Sequence, residues 1–134
     1  LAKNAGFFYL LNKIFSLYLG GHIGTGNQAT PWIHIDDVTK IINFIIQDPT
    51  ITGPINTVSP DKISLKTFCS ILSKKTKKPS WCHIPSIILK FFLGELGEHI
   101  LYTPYIKSSV LEKKKYKFIY NNINKAIDDL LIDN

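Results

Sequence analysis

The stretch Gly20-Gly21-His22-Ile23-Gly24-Thr25-Gly26-Asn27-Gln28-Ala29-Thr30-Pro31-Trp32-Ile33-His34-Ile35-Asp36-Asp37-Val38 decides how this chain is read. Gly20, Gly21, Gly24 and Gly26 let the backbone take positive φ or pass close to other groups, so the loop is built from main chain. Trp32 to Ile35 is β-prone, and Pro31 stands at its entrance, where a missing N–H is tolerated. Asp36 suits the N-cap of a following helix, because its carboxylate can accept first-turn amides. A glycine loop, a short strand and a capped helix in succession commonly build a ligand-facing edge in α/β proteins.

Moving toward the C-terminus, Val38, Ile41, Ile42, Ile45 and Ile46 recur at helical spacing, and Phe44 widens the stripe. The helix should stop by Asp48, since Pro49 disfavours the helical region for the residue before it. Gly53-Pro54 then turns the chain into a second short strand, Ile55 to Val58, closed by Ser59-Pro60-Asp61. Ser64 caps a helix with Leu65, Phe68, Cys69 and Leu72 inward, running to a Lys-rich turn before Pro79. Trp81 to Ile84 reads as extended. Pro85 starts a helix through Leu93 that Gly94 and Gly97 break, and a further helix carries His99 to Leu101. The last, from about Asn122, places Ile123, Ala126, Ile127, Leu130 and Leu131 on one face. Toward the N-terminus, Ala5 to Leu19 predicts a helix that is apolar on almost every side. In a piece of this size such a helix calls for cover from a neighbouring domain.

Composition bounds the possibilities. With 134 residues and 45% hydrophobic content, the chain is one domain's worth. No apolar run reaches the length of a membrane span and no signal peptide is present, so the expected location is cytoplasmic, with no membrane partner. Residue 1 is Leu and there is no Met, so the chain reads as part of a longer protein. The net charge of +6 comes from 16 Lys and no Arg. Arg is the usual bidentate reader of guanine, so specific nucleic-acid recognition is not expected, although Lys74–Lys78 and Lys113–Lys117 could hold phosphate non-specifically. Cys69 and Cys82 show no metal spacing, and His22, His34, His83 and His99 lie too far apart for a local motif, so no metal is expected.

The order Gly-Gly-x-x-Gly-x-Gly-x-Gln from Gly20, Trp-Ile-His-x-x-Asp from Trp32, and Gly-Pro-x-Asn-x-x-x-Pro from Gly53 resembles the second half of epimerase-like proteins. These belong to the extended branch of the short-chain dehydrogenase/reductase superfamily. Agreement continues through Phe68, Pro79, Pro85, Leu93-Gly94-Glu95, Leu101, Phe118 and Ala126. The resemblance implies an α/β fold: the helix-rich C-terminal portion of an extended short-chain dehydrogenase/reductase of Rossmann type, lacking the N-terminal dinucleotide-binding strands. Residues 1–60 would be a substrate-facing segment with a late strand and helix of the core, and residues 61–134 a helical C-terminal domain. Departures come late. Tyr105 stands where relatives tend to carry Arg, and Lys115 where they carry Gly, which forbids easy positive φ.

The resemblance also implies what should be present and is not. The family's cofactor turn, Gly-x-x-Gly-x-x-Gly opening onto a helix, has no counterpart, because Gly21, Gly24 and Gly26 are wrongly spaced and precede a strand. Tyr9 and Lys13 spell the superfamily's catalytic Tyr-x-x-x-Lys. In the family that pair lies upstream of the segment corresponding to residue 1, so no catalytic residue is assigned. NAD(P) is therefore expected for a full-length protein and not for this chain alone, with the missing Rossmann half as partner and a small molecule as substrate. The substrate-facing candidates are Gly24, Gly26, Gln28, Trp32, His34 and Asn56. Trp32 could wall the pocket. His34 could donate a hydrogen bond or be bonded to backbone, and Asn56 could cap a loop. In nucleotide-sugar relatives an Arg at the position of Thr30 grips the diphosphate, so a nucleoside diphosphate sugar is not expected. Two other classes stay open: an inert remnant serving as a protein-interaction module, and a non-specific nucleic-acid binder.

Overall fold

The computed structural model describes residues 1–82 and 103–132. The helices expected at Pro85–Leu93 and His99–Leu101 lie outside the described residues. Five helices are described: α1 (Gly6–Ser16), α2 (Ile35–Gln47), α3 (Leu65–Thr76), α4 (Ser109–Lys113) and α5 (Ile123–Leu131). No helix among the described residues is long and apolar enough to cross a membrane.

Helix α3 is the centre of the packing. Its cap is the Ser64 hydroxyl, which accepts the Thr67 amide at 3.2 Å. Leu65, Phe68, Cys69 and Leu72 are all buried on one face, against α1 on one side and α5 on the other. Phe8 and Phe15 come in from α1, and Ile123, Ala126, Ile127 and Leu130 from α5, with Trp32 and Ile63 closing the cluster. Burying large side chains of this kind removes roughly 1.5–3 kcal/mol of exposure cost apiece. Burial pushes the Cys69 thiol up to about 11, so this cysteine behaves as a small apolar residue.

The two short strands do not form ladders. Among the described residues the β pairing consists of two isolated bridges, Ala2 with Ala5 and Ala29 with Ser64. Trp32 to His34 is extended but leads directly into α2, which starts at Ile35, and the cap is His34, not Asp36. The His34 Nδ1 accepts the Asp36 amide at 3.3 Å. Ile55 to Val58 is likewise without ladder partners. A β-prone run becomes a strand only when a neighbour takes up its backbone groups.

Helix α1 ends three residues before the expected Leu19. Three helices, α1, α3 and α4, stop through the same device. After α1 the Leu19 amide donates to Ile14 O (3.2 Å) and the Tyr18 amide to Phe15 O (2.9 Å). After α3 the Lys78 amide donates to Ser73 O (3.1 Å), and after α4 the Tyr116 amide to Leu111 O (2.9 Å). This is the Schellman closure, and it needs a left-handed residue, usually glycine. Here the positions are Tyr18 (φ 63°), Lys77 (φ 54°) and Lys115 (φ 53°). Lys115 thus adopts the positive φ that its side chain disfavours. Tyr18 has some return, with the Lys78 ammonium 3.9 Å from its ring centroid.

Two carboxylates hold the C-terminal segment. Asp37, fully buried, accepts the amides of Ile119 (2.8 Å) and Tyr120 (3.0 Å). Asp61 accepts the Ile123 amide at the start of α5 (2.8 Å). A third contact is peripheral. The Lys114 ammonium reaches Asp48 at 2.7 Å, and it holds that carboxyl down at about 2, with help from Thr50.

The left-handed lysine generates a direct expectation. Lys115→Gly should raise stability by about 1 kcal/mol, because glycine occupies this region without steric cost. Urea denaturation checks it. An unchanged or lowered midpoint would mean that the turn is not strained.

Candidate functional site

The glycine loop is pinned from behind by α3. The Lys66 amide donates to Gly26 O (2.8 Å), Leu65 to Gln28 O (3.0 Å) and Thr30 to Ile63 O (2.9 Å). On the far side Ser59 donates to Trp32 O at 2.8 Å. So residues 26–32 run alongside 59–66 with opposite sense. Gly26 takes φ +71°, and a Cβ there would lie 2.5 Å from the His22 ring and 2.8 Å from Lys66 Cβ. Gly21 passes so close to the Cys82 carbonyl that a Cβ would overlap it.

Trp32 is buried and its indole N–H donates to Asp61 O at 3.1 Å. This fixes the ring between two hollows. The larger, about 380 Å³, is bounded by Phe7, Ile23, Gln28, Thr30, Trp32 and Leu65. The second, about 330 Å³, lies on the other side, with Trp32, Asn56, Val58 and Ile106 in its wall. Gln28 is held by its own loop, its Nε2 donating to Ile23 O at 3.0 Å.

Of the six substrate-facing candidates, Gln28 and Trp32 line the larger hollow, and Asn56 joins Trp32 at the second. The Asn56 Nδ2 donates to Lys107 O at 3.3 Å, and its carbonyl accepts the Ser108 hydroxyl, so Asn56 ties its loop to the segment before α4. Gly24 and Gly26 shape the loop, with φ of 58° and 71°, and line neither hollow. His34 also lies outside both. It is buried and caps α2 with Nδ1, which requires its neutral-form proton on Nε2.

Around His34 is a polar cluster. Its Nε2 lies 3.3 Å from Asp129 Oδ2 without the alignment of a hydrogen bond, and its ring centroid is 4.0 Å from that of Tyr120. Burial, with Asp129 accepting from it, pushes the Tyr120 phenol up to about 12. His34, Asp36 and Asp129 place possible metal-ligand atoms within 4.8 Å of one another. Capping α2 already uses the Nδ1 lone pair, and both carboxylates are exposed, so the cluster reads as an electrostatic seam between α2 and α5.

The residue pattern alone did not single out Phe7, Ile23 and Leu65 as cavity walls. Ile23 falls within the glycine loop and Leu65 on an apolar helix stripe, so each has a packing explanation. Tyr9 and Lys13 are both exposed on α1.

No protein-family model matches the chain. It is similar to an epimerase family protein of Staphylococcus epidermidis, 33% identical over 131 residues, which are 98% of this chain and 44% of the relative. An epimerase family protein of Staphylococcus aureus is 28% identical over the same shares. Among solved structures, a human epimerase family protein crystallised with NADPH superposes with a TM-score of 0.87 at 22% identity, covering 100% of this chain and 46% of that one. A nucleoside-diphosphate sugar epimerase from Corynebacterium glutamicum superposes at 0.73 with 30% identity, over 98% and 24% of the two chains. Both neighbours are Rossmann-type folds of the short-chain dehydrogenase/reductase kind, and the chain shares that fold over the part it covers. It spans less than half the length of these relatives.

Two glycines test the loop. Gly26→Ala should cost more than about 2 kcal/mol, because left-handed strain adds to the collision with His22 and Lys66. Gly53→Ala, at φ +81° with nothing within 4 Å, should cost only about 1 kcal/mol. Equal losses in urea denaturation would mean that the loop relaxes around Gly26.

Proposed function

Because this chain belongs to the epimerase-like proteins of the extended short-chain dehydrogenase/reductase superfamily, we propose that it supplies the substrate-side wall and C-terminal part of an NAD(P)-dependent epimerase or oxidoreductase acting on a small molecule. The observation that carries this reading is the 131-residue match to an epimerase family protein of which it is less than half. In this reading residues 1–60 furnish the substrate-facing segment and the late part of the core, and residues 61–134 the helical C-terminal domain. The dinucleotide-binding strands and the catalytic Tyr-x-x-x-Lys come from a Rossmann half outside these 134 residues.

The residues present do not fit the dinucleotide. Its diphosphate sits on free amides at a helix start approached by a glycine turn. Among the described residues, the first turns of α2, α3 and α5 are closed by the side chains of His34, Ser64 and Asn122. Helix α1 has no side-chain cap, but Ala5 is its N-cap and Gly6, its first residue, is the one glycine there, in place of the glycine fingerprint. What these residues do is bind and orient, with Gln28 and Trp32 presented to the larger hollow.

Exposed apolar faces support the missing half as partner. Leu10 (57%) and Leu17 (64%) on and after α1, and Ile42 (52%) and Ile46 (74%) on α2, stand open. Apolar surface of this extent is normally covered. The same faces favour a second reading, an inert remnant that serves as a protein-interaction module.

The test joins this chain to the portion of the Staphylococcus epidermidis relative that lies outside its matched 131 residues. Calorimetry with NADPH should find no saturable micromolar binding to the chain alone and micromolar binding to the fusion. Micromolar binding by the chain alone contradicts the proposal, and a folded fusion that ignores NADPH selects the interaction module.

A further inference from the structure

We propose that the corner where α1 and α3 end binds single-stranded nucleic acid without regard to sequence, its lysines on phosphates and Trp81 stacked on a base. The corner shares no residue with the hollows beside Trp32 and does not depend on the enzyme reading. Two helix closures meet there. The Lys78 ammonium, just past α3, lies 3.9 Å from the ring centroid of Tyr18, the left-handed residue that ends α1. The Trp81 indole N–H donates to Tyr18 O at 3.0 Å. Tyr18 is 55% exposed and Trp81 66%. Two aromatic side chains are thus held at the surface by polar contacts.

The charge around these rings is positive. Lys13, Lys74, Lys77 and Lys78 have no carboxylate partner among the described residues, while Lys75 is paired with Asp128. Lys13, Lys74 and Lys75 fall in last helical turns, where cations complement the helix dipole. That role has no use for exposed rings. Beside them a groove of about 480 Å³ is lined by Asn12, Ser16, Lys75, Thr76, Lys78 and Leu131. An unpaired strand offers both phosphates and unstacked bases, and a cationic groove with aromatic platforms holds it whatever its sequence. The lack of Arg fits a site that does not read base edges. Leu17 and Leu19 flank Tyr18 and are exposed, so an anionic lipid surface is the rival occupant. Lipid insertion draws on apolar side chains, and a groove lined mainly by polar ones adds nothing to it. The second lysine run lacks these features. Lys114 is held by Asp48 at 2.7 Å, and the Tyr116 ring packs against Phe44 and Phe118.

The experiment titrates the chain as it stands into a short fluorescein-labelled oligouridylate and reads anisotropy. Saturable binding is expected, about twentyfold weaker at 200 mM salt than at 50 mM, as about three phosphate contacts to a single strand would give. The single strand should bind more tightly than an RNA duplex of equal length, whereas charge alone favours the duplex with its denser phosphates. Trp81→Ala should weaken binding about tenfold and leave the salt slope unchanged. Trp81→Phe should restore most of the loss. Lys77→Ala with Lys78→Ala should lower the salt slope, each lost contact counting about 0.7. Lys113→Ala with Lys117→Ala should leave it as it was.

No saturable binding of the oligonucleotide overturns the proposal. So does a duplex bound equally well, a folded Trp81→Ala variant that binds as before, or a slope that responds to the second lysine run and not the first. Phosphatidylserine vesicles that displace the oligonucleotide assign the corner to lipid and overturn it too. Loss of oligonucleotide binding in the fusion described above gives the corner to the missing half, with the same consequence. If Trp81→Ala does not fold, the comparison of single strand with duplex decides.

Discussion

The carboxylate of Asp37 is the constraint on which this arrangement depends. It is fully buried at the start of α2 and accepts the backbone amides of Ile119 and Tyr120. Backbone donors to a charged acceptor are among the stronger hydrogen bonds, and a buried carboxylate without them would be costly. So the segment after α4 has little freedom to lie elsewhere. From that anchor the chain passes to Asn122, and Asp61 receives the Ile123 amide, which sets α5 against α3. The Trp-Ile-His-x-x-Asp motif is thus mechanical in each of its polar members. Trp32 bonds to the Asp61 carbonyl, His34 caps α2, and Asp37 binds the returning segment.

The same fastening shapes the larger hollow. Trp32 is held by Asp61 and Ser59, both in the segment leading to α3. Gln28 is held by Leu65 at the start of α3, and Thr30 by Ile63 just before it. The wall is therefore positioned by the backbone of neighbouring segments. That positioning also explains why the glycines matter without touching the hollow, since Gly26 brings the loop within reach of Lys66.

Much of this was legible wherever local chemistry acted alone. The Ser64 cap, the α3 stripe, the end of α2 before Pro49 and the apolar face of α5 depend on spacing and capping within one segment. The motif order also pointed to the superfamily, and the relatives agree. What was not legible depended on distant partners. Trp32 to Ile35 and Ile55 to Val58 are β-prone, yet no ladder forms among the described residues, because strand formation belongs to pairs of segments. Asp36 and Asp37 look alike in sequence. Only Asp37 points at the amides of Ile119 and Tyr120, and a histidine does the capping. Tyr18, Lys77 and Lys115 take the conformation usual for glycine where the closing bonds of three helices require it, and their side chains give no sign of it. Of the cavity, Gln28 and Trp32 were readable, but Phe7 and Leu65 carry no sign beyond being apolar.

Amide hydrogen exchange at Ile119 and Tyr120 tests the central claim most directly. Both residues lie outside regular secondary structure, and Ile119 is exposed, so an ordinary loop would exchange within local fluctuations. If Asp37 fastens the segment, both amides should be protected to nearly the level of the α3 core amides at Phe68 and Leu72. Exchange as fast as at Asn121, with α3 still protected, would show that the carboxylate does not hold the C-terminal segment.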